Sequence, residues 1–114
     1  MALYYNLGPL YENCKENPEA IKEKLLVFIE GAPQSLLKMK MGITEKKYNR
    51  VKKQLHFIMP FLELLGMDSA LEEAHDIKAW VLREGKKKEV KEIFKSFKLH
   101  VKNAVKELKK DLSL

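Results

Sequence analysis

Four stretches of the chain repeat apolar residues every three to four positions, a periodicity that leaves little room for anything but helices packed side by side. In the first, Ile21, Leu25, Phe28 and Ile29 follow Asn17-Pro18-Glu19, which supplies an N-cap, a proline at the first helical position and a carboxylate in the first turn. Gly31 and Pro33 interrupt the pattern, but Leu36, Leu37 and Met41 resume it, so one kinked helix ending at Gly42 is expected. Thr44 is expected to cap the second helix, whose seam is Val51, Leu55, Ile58, Leu62 and Leu65, with Gly66 as its stop. Asp68 and Ser69 open a third helix, with Ser69 and Glu72 at capping-box spacing. Its seam is Ala70, Ala74, Ile77 and Val81, and Gly85 is expected to end it. The last helix is predicted from about Lys87 to Asp111, with Val90, Phe94, Phe97, Val101, Ala104 and Leu108 facing inward. Residues 3–16 are expected to add a short helix that buries Leu3, Leu7 and Leu10.

Composition agrees with this pattern. Leucine occurs 17 times and threonine once, so straight-chain helix formers dominate over the β-branched residues that a sheet favours. The predicted class is therefore all-α: an up-and-down antiparallel four-helix bundle with a short extra N-terminal helix. At 114 residues, positions 1–114 are expected to form a single domain. Cys14 is the only cysteine, which excludes an intrachain disulfide and a cysteine-rich zinc site. The uncharged stretch from Leu55 to Leu62 is far short of a bilayer span. Met1 to Asn6 lacks the basic and apolar regions of a secretory signal, so a cytoplasmic location is expected, with no membrane partner.

Conventional catalytic signatures are absent. Gly85-Lys86-Lys87 lacks the glycine pattern and the hydroxyl residue of a phosphate loop. His56, His75 and His100 are scattered, with no paired Glu-x-x-His motif, so no metal site is expected. The net charge of +6 is unevenly spread. Residues 38–53 carry seven Lys or Arg against Glu45, and residues 86–110 carry ten Lys against Glu89, Glu92 and Glu107. Such a balance favours acidic partners, although solvated helix faces carry similar runs.

His56 stands out by its place on the second helix. With His56 at zero and 100° per residue, the apolar seam falls at about 180–260°, so the imidazole points to solvent. Asn49, Lys52, Lys53, Pro60 and Glu63 share its face, and Phe57, Met59 and Leu64 border it. An exposed imidazole among lysines, ringed by apolar groups, suits docking to an anionic partner.

The order of motifs resembles the histidine-containing phosphotransfer (HPt) domain family. Phe28-Ile29-Glu30-Gly31-Ala32-Pro33 matches a F-x-x-x-A-P helix, and His56 follows Phe28 by 28 residues. His56-Phe57-Ile58-Met59-Pro60 stands where the family carries H-x-L-K-G, and Gly66 lies ten residues after the histidine. The resemblance spans residues from about 3 to 112. It departs from the family at Pro60, which looks like a variant of some members, and at Met59, which replaces the motif lysine.

The resemblance implies a phosphorelay intermediate. His56 would accept a phosphoryl group from the aspartate of a response-regulator receiver domain, or from a hybrid histidine kinase, and pass it to another receiver. It implies no cofactor on this chain, with Mg²⁺ expected on the receiver, and no enzymatic turnover. Lys52 and Lys53, one turn before His56, are expected to supply the charge that Met59 lacks. Asn49, Phe57, Met59, Pro60, Glu63 and Leu64 are the expected docking residues, although packing within the chain is the other expectation for Phe57, Met59 and Leu64.

Two alternatives stand beside this. A degenerate HPt-like adaptor would bind receiver or kinase domains without carrying phosphate. A basic nucleic-acid-binding module would use Lys91, Lys95, Lys98, Lys102, Lys106 and Lys109, expected to lie opposite the apolar seam of the last helix, although no nucleic-acid motif accompanies them. Ala74-His75-Asp76-Ile77-Lys78 imitates the histidine motif locally, but His75 lies 47 residues from Phe28, too far for the family layout. His100 has no motif around it and is expected at the surface.

Overall fold

A computed structural model describes residues 4–113. Five helices follow one another: α1 (Gly8–Asn13), α2 (Pro18–Thr44), α3 (Tyr48–Leu64), α4 (Asp68–Leu82) and α5 (Lys87–Asp111). There is no strand among the described residues. α2 packs on α3 and α5, α3 on α4, and α4 on α5, so the four long helices close a ring, with α1 against α3. The body measures 42 × 23 × 20 Å, and α2 alone, with 27 residues, spans about 40 Å at 1.5 Å per residue.

The seams behave as their spacing requires. Every seam residue predicted for α3, α4 and α5 is buried, as are Ile21, Leu25, Phe28, Ile29 and Leu36 of α2. The Asn17 side-chain oxygen accepts from the N–H groups of Glu19 and Ala20 at 3.0 and 3.3 Å, closing two orphan donors at the start of α2. α2 runs on through Pro33. That proline leaves the Ile29 carbonyl without an intrahelical donor, but buried Phe28, Ala32 and Leu36 hold the helix on both sides of it. Leu37 and Met41, expected inside, are 60 % and 49 % exposed; Met39 and Ile43 take the inward places, one and two turns after Leu36.

Gly66 stops α3 and α5 runs over Lys87–Asp111 as expected, whereas the ends of α2 and α4 differ from expectation, for one shared reason. Each of α1 to α4 stops in a Schellman motif, with a left-handed residue just past the end. At the end of α2, Lys47 N–H donates to the Gly42 carbonyl (2.7 Å) and Lys46 N–H to Ile43 (3.3 Å), with Lys46 at φ 56°. Gly85 to Trp80 and Glu84 to Val81 repeat the pattern after α4, with Glu84 at φ 50°; Lys15, also at φ 50°, serves after α1. Only after α3 is the left-handed residue a glycine, Gly66 at φ 57°. Gly42 therefore lies inside the last turn of α2, against Val51, and α2 ends at Thr44, which does not cap α3. Lys47 precedes α3 and Met67 precedes α4, neither with a side-chain cap, so Ser69 is within α4 and makes no capping box. A side chain other than glycine in the left-handed region costs about 1 kcal/mol. Glu84→Gly is thus expected to stabilise the fold by about 0.5–1 kcal/mol, read as a higher urea midpoint at unchanged slope.

Past the end of α4 at Leu82, the chain crosses Trp80. Trp80 is fully buried, its Nε1–H donates to the Lys86 carbonyl (2.8 Å), and the Tyr48 ring packs 5.1 Å away. Tyr48 in turn donates its hydroxyl proton to the Gly85 carbonyl (2.8 Å). A Cβ on Gly85 would come within 2.4 Å of the indole, so this glycine serves close approach rather than termination.

The N-terminal segment is shorter in helix than expected. α1 covers only Gly8–Asn13, burying Leu10 and half-burying Leu7, while Leu3 lies outside the described residues. Asn6 N–H donates to the Leu65 carbonyl (2.6 Å), and its side chain accepts from Gly8 N–H (3.0 Å), so residues before α1 run across the end of α3. Tyr5 donates its hydroxyl proton to Asp111. Burial first, and then the Asp111 carboxylate, hold that phenol well above the usual tyrosine range.

Candidate functional site

α3 puts its seam on one side and a polar stripe on the other. Lys52, His56, Met59, Pro60 and Glu63 recur at three- and four-residue steps, which stacks them along one face. That stripe forms one wall of a shallow groove of about 280 Å³ between α3 and α4, and His75 and Lys78 form the other wall. His56, Lys52, Pro60, Glu63 and His75 are exposed, while Met59 and Lys78 are half-buried. Among the described residues none hydrogen-bonds or ion-pairs with exposed His56, so its ring nitrogens are unengaged within the chain. α3 continues through Pro60 to Leu64. Pro60 brings no N–H, so the His56 carbonyl lacks the donor it would have in a regular helix.

The remaining site residues separate by side. Asn49 and Lys53 are exposed but lie outside the groove lining. Phe57 turns toward α2: its ring sits over Gly31, where an added Cβ would come within 2.5 Å, and packs on Phe61 at 5.4 Å between centroids. Leu64 is half-buried against the core. Phe57 is thus engaged within the chain, while Met59 alone of the bordering apolar residues lines the groove. Phe28, the first residue of the α2 motif, is fully buried and meets Phe61 at 5.7 Å, so this motif docks α2 onto α3 behind the stripe.

Two residues of α4 join the site. His75, read from sequence as a rival to His56, lines the same groove, and Lys78 brings a cation from the facing helix. Their three-residue spacing places both on one face of α4, but only the packing of α4 on α3 reveals that this face meets His56. His100, expected to be a plain surface residue, is half-buried. Its Nδ1 lies 2.7 Å from a Glu73 carboxylate oxygen, tying α5 to α4. Among the described residues no three His, Cys, Asp or Glu side chains converge as metal ligands, and no helix is long and apolar enough to cross a membrane.

Chemically, the groove offers a solvent-facing imidazole, cations from two helices, a carboxylate at one end and an apolar wall. Such a set can present a nucleophilic nitrogen to an anionic group brought by another molecule. No protein-family model matches the chain, and neither the curated proteins nor the solved structures give a significant match.

Proposed function

We propose that the chain is a histidine phosphotransfer protein in which His56 carries the phosphoryl group between receiver domains of response regulators, with a hybrid histidine kinase as a further donor. The observation that carries this is the exposed, unengaged imidazole of His56 in a groove flanked by Lys52 and Lys78. The connections of three or four residues between the long helices, and their ring of contacts, support an up-and-down antiparallel four-helix bundle with a short N-terminal helix as the scaffold. We place it in the cytoplasm, where such relays operate.

The Nε2 lone pair of His56 attacks the phosphorus of an aspartyl phosphate. The N–P bond forms as the P–O bond to the aspartate breaks, and the carboxylate leaves with the electron pair. A second receiver's aspartate then attacks the same phosphorus, and the imidazole is the leaving group. The receiver supplies Mg²⁺; this chain supplies alignment and positive charge, the two contributions that dominate phosphoryl transfer. Incubation with a phosphorylated receiver tests this: label should move onto the chain in an acid-labile, base-stable form.

Lys52 is the lysine one turn before His56 that lines the groove, and Lys78 faces it from α4, whereas Lys53 lies outside. Removing Lys52 and Lys78 together, as alanines, is expected to slow transfer at least ~10-fold, or about 1.4 kcal/mol. Lys53→Ala should change it by less than about twofold, a difference below 0.5 kcal/mol. Equal rates for all variants in a rapid-quench assay would remove the lysines from the mechanism.

Met59 favours a second reading. It lines the groove where the resemblance places a lysine, so an adaptor that docks a receiver without taking phosphate fits the same face. Receiver binding with no label on the chain would select that reading.

A further inference from the structure

On the far side of the ring from His56, α2 and α5 leave a second groove. Near the end of α2 its floor is Ile43 and Phe94, and six lysines rim it, Lys40 from α2 and the rest from α5. A further stretch along the same seam has Pro33, Leu36 and Val105 beneath three more lysines. Among the described residues no carboxylate lines either stretch.

This is not how a solvated helix face is built. On such a face Glu and Lys alternate at four-residue steps and neutralise one another. With Phe94 at zero, the α5 lysines of both stretches fall at about 20–120°, whereas Glu89, Glu92 and Glu107 fall at about 160–220°. Measured from the seam's centre at about 320°, Lys91, Lys98 and Lys109 lie only about 80–100° away, on the α2 side, while Lys95 and Lys106 lie nearer to opposite it, which corrects the expectation from sequence in part. Lys102 and Lys40, in that order, push the Lys98 ammonium below the ordinary lysine range, a mark of like charges without compensation. Leu37 of α2, 60 % exposed, stands beside this groove. Leu37 is four residues after Pro33 and three before Lys40, so it continues the floor outward.

We propose that this groove docks an acidic amphipathic helix of a partner protein. The apolar face of that helix would lie along exposed Leu37, above the closed floor of Ile43, Phe94 and Leu36, and its carboxylates would lie along the lysine row. From Lys87 to Lys109 the row covers about 33 Å of helix axis. Its steps of three and four residues match the spacing of carboxylates on one face of a helix laid alongside, so each cation meets an anion. Nucleic acid fits poorly: Phe94, the only aromatic in the groove, is 8 % exposed and offers no stacking platform. A flat lipid surface fits poorly as well, because the apolar floor is recessed between two helices. Docking here leaves His56 open, and this proposal does not rest on phosphotransfer.

The probe is a synthetic amphipathic helix of roughly five turns, with leucines on one face and glutamates flanking them. It is titrated into the full chain by fluorescence anisotropy, against a scrambled peptide of identical composition. The ordered peptide should bind at least ~10-fold more tightly than the scramble, a gap of about 1.4 kcal/mol. The pair Lys91→Glu and Lys98→Glu should weaken it by at least the same factor, and His56→Gln should leave it unchanged. Lys91→Gln with Lys98→Gln should give an intermediate loss, with unaltered far-UV dichroism for both pairs. Equal binding of the scramble, insensitivity to the lysine pairs, or tighter binding of a DNA duplex or phosphatidylglycerol vesicles at the same salt would each overturn the proposal.

Discussion

Replacing His56 with Gln is expected to reduce label transfer from a phosphorylated receiver to background, at least ~100-fold below wild type, or about 2.7 kcal/mol. Glutamine keeps a polar side chain of similar reach on an exposed position of α3, so the fold and the groove should persist while the nucleophilic nitrogen is gone. His75→Gln is the informative control. His75 lines the same groove, and removing it leaves His56, the proposed nucleophile, and the lysines in place, so label should still appear. If His75→Gln abolished label and His56→Gln did not, the carrier would be the α4 histidine. If wild type bound the receiver and never took label, the adaptor reading would stand instead.

Trp80→Ala should destabilise the fold by about 4 kcal/mol, toward the upper end for large-to-small core changes. Three losses combine. The fully buried indole leaves a cavity, the Lys86 carbonyl loses its 2.8 Å donor, and the Tyr48 ring loses its partner. Against a total stability of about 5–15 kcal/mol for a chain of this size, that is a large fraction. Trp80 is the only tryptophan, so urea unfolding must be followed by far-UV circular dichroism. A midpoint within experimental error of wild type would show that the α4–α5 connection is held by other contacts.

Trp80 also marks where sequence reasoning reached its limit. The seam Ala70, Ala74, Ile77 and Val81 was legible because a helical period needs no knowledge of neighbours. Trp80 escaped it because its ring leaves the seam to support the following connection and the start of α3. Glycine misled in the same region: Gly42 and Gly85 look like stops, yet both make room for a neighbouring side chain, and Lys46 and Glu84 take the left-handed positions instead. At the candidate site, the outward direction of His56 followed from its angle to the seam. The approach of His75 and Lys78 did not, because it depends on which face of α4 meets α3. The lysine row and its offset from the seam were legible from the helical period, but that the offset side meets α2 needed the packed pair of helices.

One contact in the ring of helices is unlike the rest. α2–α3, α3–α4 and α4–α5 join chain neighbours, whereas α2 and α5 meet across two intervening helices. Contacts between neighbours close short loops at small entropic cost, while bringing distant segments together is rewarded only once the pieces between them are in place. The α2–α5 contact therefore carries the largest closure cost of the four, and it also sets Lys40 of α2 against the like-charged row of α5.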